Sequence, residues 1–137
     1  MTLAIDTSAL VTRYLDEPDS DGVTALMEAD PVWCASDLAR CEATILLNRL
    51  ASGPSQADTL MRLLHADWDA FHVVPVDERC LSRAAQIGAD FGLRAVDAIH
   101  LAAASRLPAP VRFLTLDPRQ VLTAVALDLE PVPAPAD

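Results

Sequence analysis

Four carboxylates stand where the surrounding residues are apolar. Asp6 closes the opening Leu3-Ala4-Ile5, and Glu42 interrupts the helical run over residues 38–50. Asp97 sits inside Ala95-Val96-Asp97-Ala98-Ile99, and Asp117 ends the run Val111-Arg112-Phe113-Leu114-Thr115-Leu116. Moving a carboxylate out of water is costly unless a cation or hydrogen bonds compensate it. Taken singly, each acid reads as a helix cap or as the partner of an arginine. Taken together, at the ends or inner faces of separate elements, they point to a shared cation. Carboxylate oxygens are hard ligands, which selects Mg²⁺ or Mn²⁺.

The elements that must position these acids alternate along the chain. Residues 3–6 read as a short buried strand, and Thr7-Ser8 opens a helix carrying Leu10, Val11 and Tyr14. Residues 16–22, rich in Asp, Pro and Gly, read as a loop before a helix over about 23–28. A second strand is expected at 32–35, with Ser36 or Asp37 capping a long helix to about residue 50. Ser52-Gly53-Pro54-Ser55 breaks that helix and starts another, with Leu60, Met61, Leu63 and Leu64 on its apolar side. Residues 71–76 form the third strand, Asp77 caps a helix that Gly92 stops, and residues 95–107 form the next. Residues 111–116 are the fourth strand, Pro118 starts a helix, and residues 129–132 form a short last strand.

Strands that alternate with helices and are apolar on both faces predict a parallel sheet covered on both sides. The fold class is therefore α/β, in three layers, with a central sheet of four to five strands. In such sheets functional groups gather at the carboxyl ends of the strands, so Asp6 and Asp117 should face one crevice. Asp97 falls in the first turn of its helix, where the macrodipole favours an anion. Glu42 shares its helical face with Leu38, Ile45 and Leu46, which predicts that it points inward.

Bulk properties bound the function. The 137 residues suit one domain, expected over 1–132 with a disordered tail at 133–137, and 52% hydrophobic content excludes a disordered chain. No apolar run approaches the roughly 18 residues of a spanning helix, and the opening lacks signal-peptide features. Three cysteines without zinc-type spacing give no disulfide framework, so a cytoplasmic location is expected. The net charge of −10 is unusual for a nucleic-acid binder, though bound metal would neutralise several of the acids. The same acidity suits a basic protein partner.

The segments Ile5-Asp6-Thr7-Ser8-Ala9-Leu10, Ala39-Arg40-Cys41-Glu42, residues 93–102 with Asp97-Ala98-Ile99-His100, and Phe113-Leu114-Thr115-Leu116-Asp117 match in order and spacing the motifs of PIN-domain nucleases. Nearly the whole chain is covered. Its size and the Asp-Ala-Ile-His version of the third motif resemble the VapC toxins of bacterial type II toxin–antitoxin systems. The resemblance implies a Mg²⁺- or Mn²⁺-dependent endoribonuclease that inhibits translation and is restrained by a VapB-like antitoxin. It implies catalytic and metal-binding roles for Asp6, Glu42, Asp97 and Asp117. The first three would hold the principal ion, and Asp117 would act through water or on a second ion. An arginine from the antitoxin is expected to reach the acidic cleft.

Supporting roles fall to neighbours of the acids. Ser8 either orients a metal-bound water or caps its helix. Thr115, two residues before Asp117, is placed to hydrogen-bond an acid, and Arg94 to touch RNA phosphate or pair with the acids. His100 reads as a core histidine donating a hydrogen bond in preference to a metal ligand, since hard ions seldom need imidazole. Apolar helices around residues 10–14 and 46–64 predict a homodimer. A receiver domain is excluded, because it needs adjacent acids after the first strand and a lysine, and the chain has no lysine. A haloacid-type phosphatase is excluded for want of an early Asp-x-Asp. The remaining alternative is a PIN-fold module that binds antitoxin or RNA without cutting.

Overall fold

The computed structural model describes residues 1–133. Five strands, β1 (Thr2–Ile5), β2 (Val32–Ser36), β3 (His72–Val74), β4 (Val111–Leu114) and β5 (Glu130–Val132), form one parallel sheet in the order β3-β2-β1-β4-β5. Seven helices connect and flank them: α1 (Thr7–Tyr14), α2 (Ser20–Glu28), α3 (Asp37–Leu50), α4 (Pro54–Trp68), α5 (Glu78–Phe91), α6 (Ala95–Ser105) and α7 (Pro118–Ala126). The three-layer α/β architecture expected from the sequence is the one observed. Residues 134–137, most of the expected tail, lie outside the described residues. No helix among those described is long and apolar enough to cross a membrane.

Side-chain alternation along β1 divides the core. Leu3 and Ile5 face α1–α4, where they join Leu10, Val23, Met27, Ala43, Leu47 and Leu60. Ala4 faces the other layer with Phe113, Leu101 and Ala124, and Cys80, Ala84, Ile87 and Ala102 continue that layer. Small residues at Ala4, Ala98, Ala102 and Ala103 let α6 lie close to the sheet. Ala4 is level with Cys34 on β2 and Phe113 on β4. The neighbours of β1 thus come from opposite directions in the chain, and the carboxyl end of β1 is the topological switch point.

Several boundaries differ from expectation, each for a local reason. The segment expected as a loop over 16–22 already enters α2 at Ser20, whose buried hydroxyl accepts from Glu17 N and bonds the Leu15 carbonyl at 2.6 Å. The third strand stops at Val74, because Pro75 has no N–H to donate. As the edge strand it also exposes His72 and Val73, so it is not apolar on both faces. Helix α6 ends at Ser105, two residues early, and β4 ends at Leu114, although Thr115 N still bonds the Val132 carbonyl at 3.1 Å. Asp77 caps α5 by accepting from Cys80 N at 2.9 Å, and Gly92 ends that helix at φ 67°, where a side chain would be strained.

The inner face of α3 was misassigned. Ala39, Ala43 and Leu47 are the buried residues, four apart on one face, whereas Ile45 is 47% exposed. Glu42 and Leu46 therefore lie on the flank of α3 that borders the cleft, not beneath the helix. Leu63, expected on the apolar side of α4, is exposed, while Leu60 and Leu64 are buried. Leu10 and Val11 are likewise buried within the chain, so they supply no free apolar surface. Ile45, Leu50 and Leu63 are the exposed apolar residues of this region.

Candidate active site

All four acids line a single cavity of about 280 Å³ at the carboxyl edge of the sheet, with Thr7, Ser8, Leu46, Arg94, His100 and Gln120 completing its wall. Larger hollows exist elsewhere. One of about 740 Å³ between α3 and α4 contains none of the four acids. Chemistry, not size, singles out the smaller one.

Asp6 leaves β1 and caps α1, so its position follows from the strand-to-helix turn. Its Oδ1 accepts from Ala9 N at 2.8 Å and from the Ser8 hydroxyl at 3.2 Å, and its Oδ2 accepts from the Thr115 hydroxyl at 2.6 Å. The residue is 1% exposed and forms no ion pair among the described residues. Burial pushes the Asp6 carboxyl above its ordinary value, against the lowering effect of those hydrogen bonds and of His100 nearby. Among the described residues no arginine pairs with Asp6, and its carboxylate is held by neutral donors.

Glu42 is held from both layers. The Thr7 hydroxyl donates to Oε1 at 2.6 Å, and His100 Nε2 meets the same oxygen at 2.5 Å. The Ser36 hydroxyl lies 2.9 Å from His100 Nδ1. This arrangement assigns the proton to Nε2 and leaves Nδ1 to accept from Ser36. Burial alone would raise Glu42, but the hydrogen bonds from His100 and Thr7, with the charge of Arg94, bring it below its ordinary value. Ser36 stands at the cap position of α3 yet makes no capping bond, because its hydroxyl is committed to His100. His100 is 4% exposed and bonded through both ring nitrogens.

Asp97, in the first turn of α6, accepts from Gln120 Nε2 at Oδ1 and from Arg94 Nε at Oδ2, both at 3.2 Å. Arg94 is itself 73% exposed, so the pair is easily opened. Asp117 caps α7 through Arg119 N at 3.0 Å, and the Arg119 side chain bonds both of its oxygens. That guanidinium holds the Asp117 carboxyl below its ordinary value. Thr115 and Asp117 lie past the end of β4, where Thr115 Oγ1 accepts from Asp117 N at 3.1 Å while donating to Asp6. One hydroxyl thereby fixes two of the acids.

The sequence brought Asp6, Ser8, Glu42, Arg94, Asp97, Thr115 and Asp117 forward, and the fold gathers them. It did not bring forward Thr7, Ser36, Arg119 or Gln120. Thr7 and Arg119 adjoin acids already named, and their polarity was the available signal. Gln120 and Ser36 reach the site only through tertiary packing.

The donor chemistry fits a hard divalent ion: carboxylate oxygens from four elements around one cavity, a buried aspartate without its own cation, and a buried Gln120 Oε1 without a partner. The spacing is not closed. Among the described residues no three His, Cys, Asp or Glu side chains stand close enough to form a ready cluster. Arg94 and Arg119 hold Asp97 and Asp117 in ion pairs. Both arginines are largely exposed, where such pairs are weak.

Comparison with known proteins places the chain by family and fold. A profile of the PIN domain family matches residues 3–126. Ribonuclease VapC46 of Mycobacterium tuberculosis is 36% identical over 117 residues, which span 84% of each chain. In fold, the chain is similar to FitAcB from Neisseria gonorrhoeae (TM-score 0.72, 20% identity, 96% of each chain covered). It is also similar to VapBC2 from Rickettsia felis bound to a promoter DNA fragment (TM-score 0.68, 12% identity, 96% of this chain and 98% of that one).

Proposed function

This chain belongs to the PIN domain family, in its VapC group, and on that premise we propose that it is a Mg²⁺- or Mn²⁺-dependent endoribonuclease acting as the toxin of a VapBC-type pair. The observation that carries the reading is the convergence of Asp6, Glu42, Asp97 and Asp117, from four separate elements, on one cavity. Asp6, Glu42 and Asp97 would hold the principal ion, with Asp117 acting through water or on a second ion. Such an ion supplies an acidified water and neutralises charge developing on the phosphate oxygens.

The chain's own groups do the positioning. Thr115, Ser8 and Ala9 N fix Asp6, while Thr7 and His100 fix Glu42, so neither carboxylate needs to reorganise. Arg94, exposed at the rim, is free to exchange Asp97 for an RNA phosphate. No protein nucleophile is required: a water would attack phosphorus, the phosphorus–oxygen bond to the leaving RNA oxygen would break, and the water's proton would end on that oxygen. RNA is the substrate, and cleavage of it would inhibit translation.

A VapB-like antitoxin is the expected partner, since two similar structures are named as a toxin–antitoxin complex from Klebsiella pneumoniae and a VapBC-family toxin–antitoxin system from Mycobacterium tuberculosis. An antitoxin arginine entering the acidic cleft would exclude the metal, so added Mn²⁺ should weaken antitoxin affinity at constant ionic strength. A homodimer is proposed through the surface bearing Ile45, Leu50 and Leu63. A cytoplasmic location accords with translation as the target.

The test is cleavage of RNA by the wild-type chain and by Asp6→Asn, in chelator and in Mg²⁺ or Mn²⁺. Cleavage that needs metal and is lost in Asp6→Asn is expected. Absent cleavage with retained RNA or antitoxin binding would instead identify a non-catalytic module, and metal-independent cleavage would overturn the metal assignment. Rescue by Zn²⁺ alone would move His100 into the ligand set.

A further inference from the structure

Gln120 lies on the first turn of α7, one turn beyond Asp117, and is 2% exposed. Its backbone N donates to the Asp117 carbonyl at 3.0 Å, and its side-chain Nε2 crosses to α6 and donates to Asp97 Oδ1 at 3.2 Å. The amide orientation is fixed by chemistry, because the reverse would set a carbonyl oxygen against a carboxylate oxygen. With Nε2 committed to Asp97, Oε1 is left buried without a hydrogen-bond partner among the described residues. Native folds seldom tolerate an unpaired buried acceptor, and such atoms concentrate where a water or an ion's ligand belongs. Gln120 also lies on the wall of the cavity that all four acids line.

Among the described residues no other side-chain amide lines that cavity. Asp6 is fixed by the Ala9 N–H and by hydroxyls, and Glu42 by the Thr7 hydroxyl and His100, all without an arginine. Asp97 has only the exposed Arg94 and the buried Gln120, and an arginine competes with any cation for the carboxylate. The neutral amide does not compete. It orients Asp97 without cancelling its charge, and it offers an acceptor beside it.

We propose that Gln120 is a positioning residue of the metal centre: Nε2 aims Asp97 at the ion, and Oε1 accepts a hydrogen bond from a water bound to that ion. The inference rests on the metal-dependent reading given above. Outer contacts of this kind typically carry a factor of about 10–100 in metal affinity.

Mn²⁺ binding to the full chain, read by electron paramagnetic resonance of free Mn²⁺ and by calorimetry, tests this without an activity assay. Gln120→Leu, which removes donor and acceptor at similar volume, should weaken Mn²⁺ about 10–100-fold. Gln120→Glu, which retains an acceptor oxygen and adds charge but loses the donor to Asp97, should bind Mn²⁺ more tightly than Gln120→Leu. It should also melt at a lower temperature in chelator through repulsion with Asp97. If Gln120→Leu fails to fold, Gln120→Met serves for the same measurement. Unchanged Mn²⁺ affinity in a folded Leu or Met variant overturns the proposal and leaves a packing role alone. Loss of affinity in Gln120→Glu comparable to that in Gln120→Leu also overturns it. If the wild-type chain itself binds no Mn²⁺, the metal reading fails and this inference with it.

Discussion

Asp6 and Asp30 are both buried aspartates, at opposite ends of the same sheet, and they are balanced by different means. Asp30 precedes β2 at the amino edge, where Arg112 of β4 donates to its Oδ2 at 2.9 Å. Asp6 follows β1 at the carboxyl edge and receives three hydrogen bonds, all from neutral groups. A buried carboxylate with its own arginine is complete: charge, geometry and hydrogen bonds are satisfied within the chain. A buried carboxylate held only by neutral donors is oriented but not neutralised, and burial pushes its proton affinity up. Deep burial is common to both, so burial alone does not mark a site. The missing internal cation does.

Exchanging each aspartate for its amide is the strongest way to break the contrast. Asp6→Asn should abolish metal-dependent cleavage, by about a thousandfold or more, since the several kcal/mol a metal centre supplies convert at about 1.4 kcal/mol per decade. Its melting temperature in chelator should be unchanged or higher, because an uncompensated charge is removed. If Asp6→Asn instead cleaves normally or unfolds, the distinction drawn between the two ends of the sheet is wrong.

Asp30→Asn should do the reverse. Arg112 would be left without its partner, at a cost of about 2–3 kcal/mol in denaturant unfolding, below the range for fully buried pairs because the arginine keeps some contact with solvent. Specific activity of the folded protein should be unaffected. Equal stability of Asp30→Asn and wild type would show that the pair contributes nothing.

Thr115→Val sharpens the comparison at the carboxyl edge. It removes the donor to Asp6 and the acceptor for Asp117 N while conserving shape. Activity should fall about 10–100-fold, with stability reduced by about 1–3 kcal/mol for the stranded polar groups. An activity loss that tracked only the unfolded fraction would argue that Asp6 holds its place without Thr115.

The smallest effect belongs to an acid outside the cavity, paired at the surface. Asp77 is paired with Arg106 at 2.7 Å and caps α5. The Cys80 N–H and the Arg106 guanidinium hold its carboxyl below the ordinary value of 3.8. A depressed folded value means that this contribution is present above about pH 3.8 and is lost as pH falls through the folded value. Thermal melts of wild type and Asp77→Asn should therefore converge on acidification and separate slightly at neutral pH, with cleavage unchanged. Melts that diverge further on acidification would reverse the assigned sign.

The acids and their architecture were legible for definite reasons. A lone Asp after Leu3-Ala4-Ile5 and another after the run 111–116 break apolar patterns whose periods are unambiguous, and strand–helix alternation dictates a parallel sheet with its ends aligned. Glu42 was legible as an acid in a helix but not in its direction. Its helix buries Ala39 and Ala43, and alanine gives little hydrophobic contrast from which to choose a face. The strand ends differ from expectation by a few residues: β3 stops before Pro75, which has no N–H to donate, and β4 stops at Leu114 short of its apolar run.

Local sequence by itself determined the elements, the identity of the four acids and the turns that carry Asp6, Asp77 and Asp117, because propensity, capping and hydrophobic period act over a few residues. Tertiary structure alone decided which donors meet which acid. Thr115 reaches Asp6 across 109 residues, His100 reaches Glu42 across 58, Ser36 reaches His100 across 64, and Gln120 reaches Asp97 across 23. Those contacts depend on strand order and on how closely α6 settles onto Ala4. They are set by the packing of the whole chain, and no short window of sequence contains them.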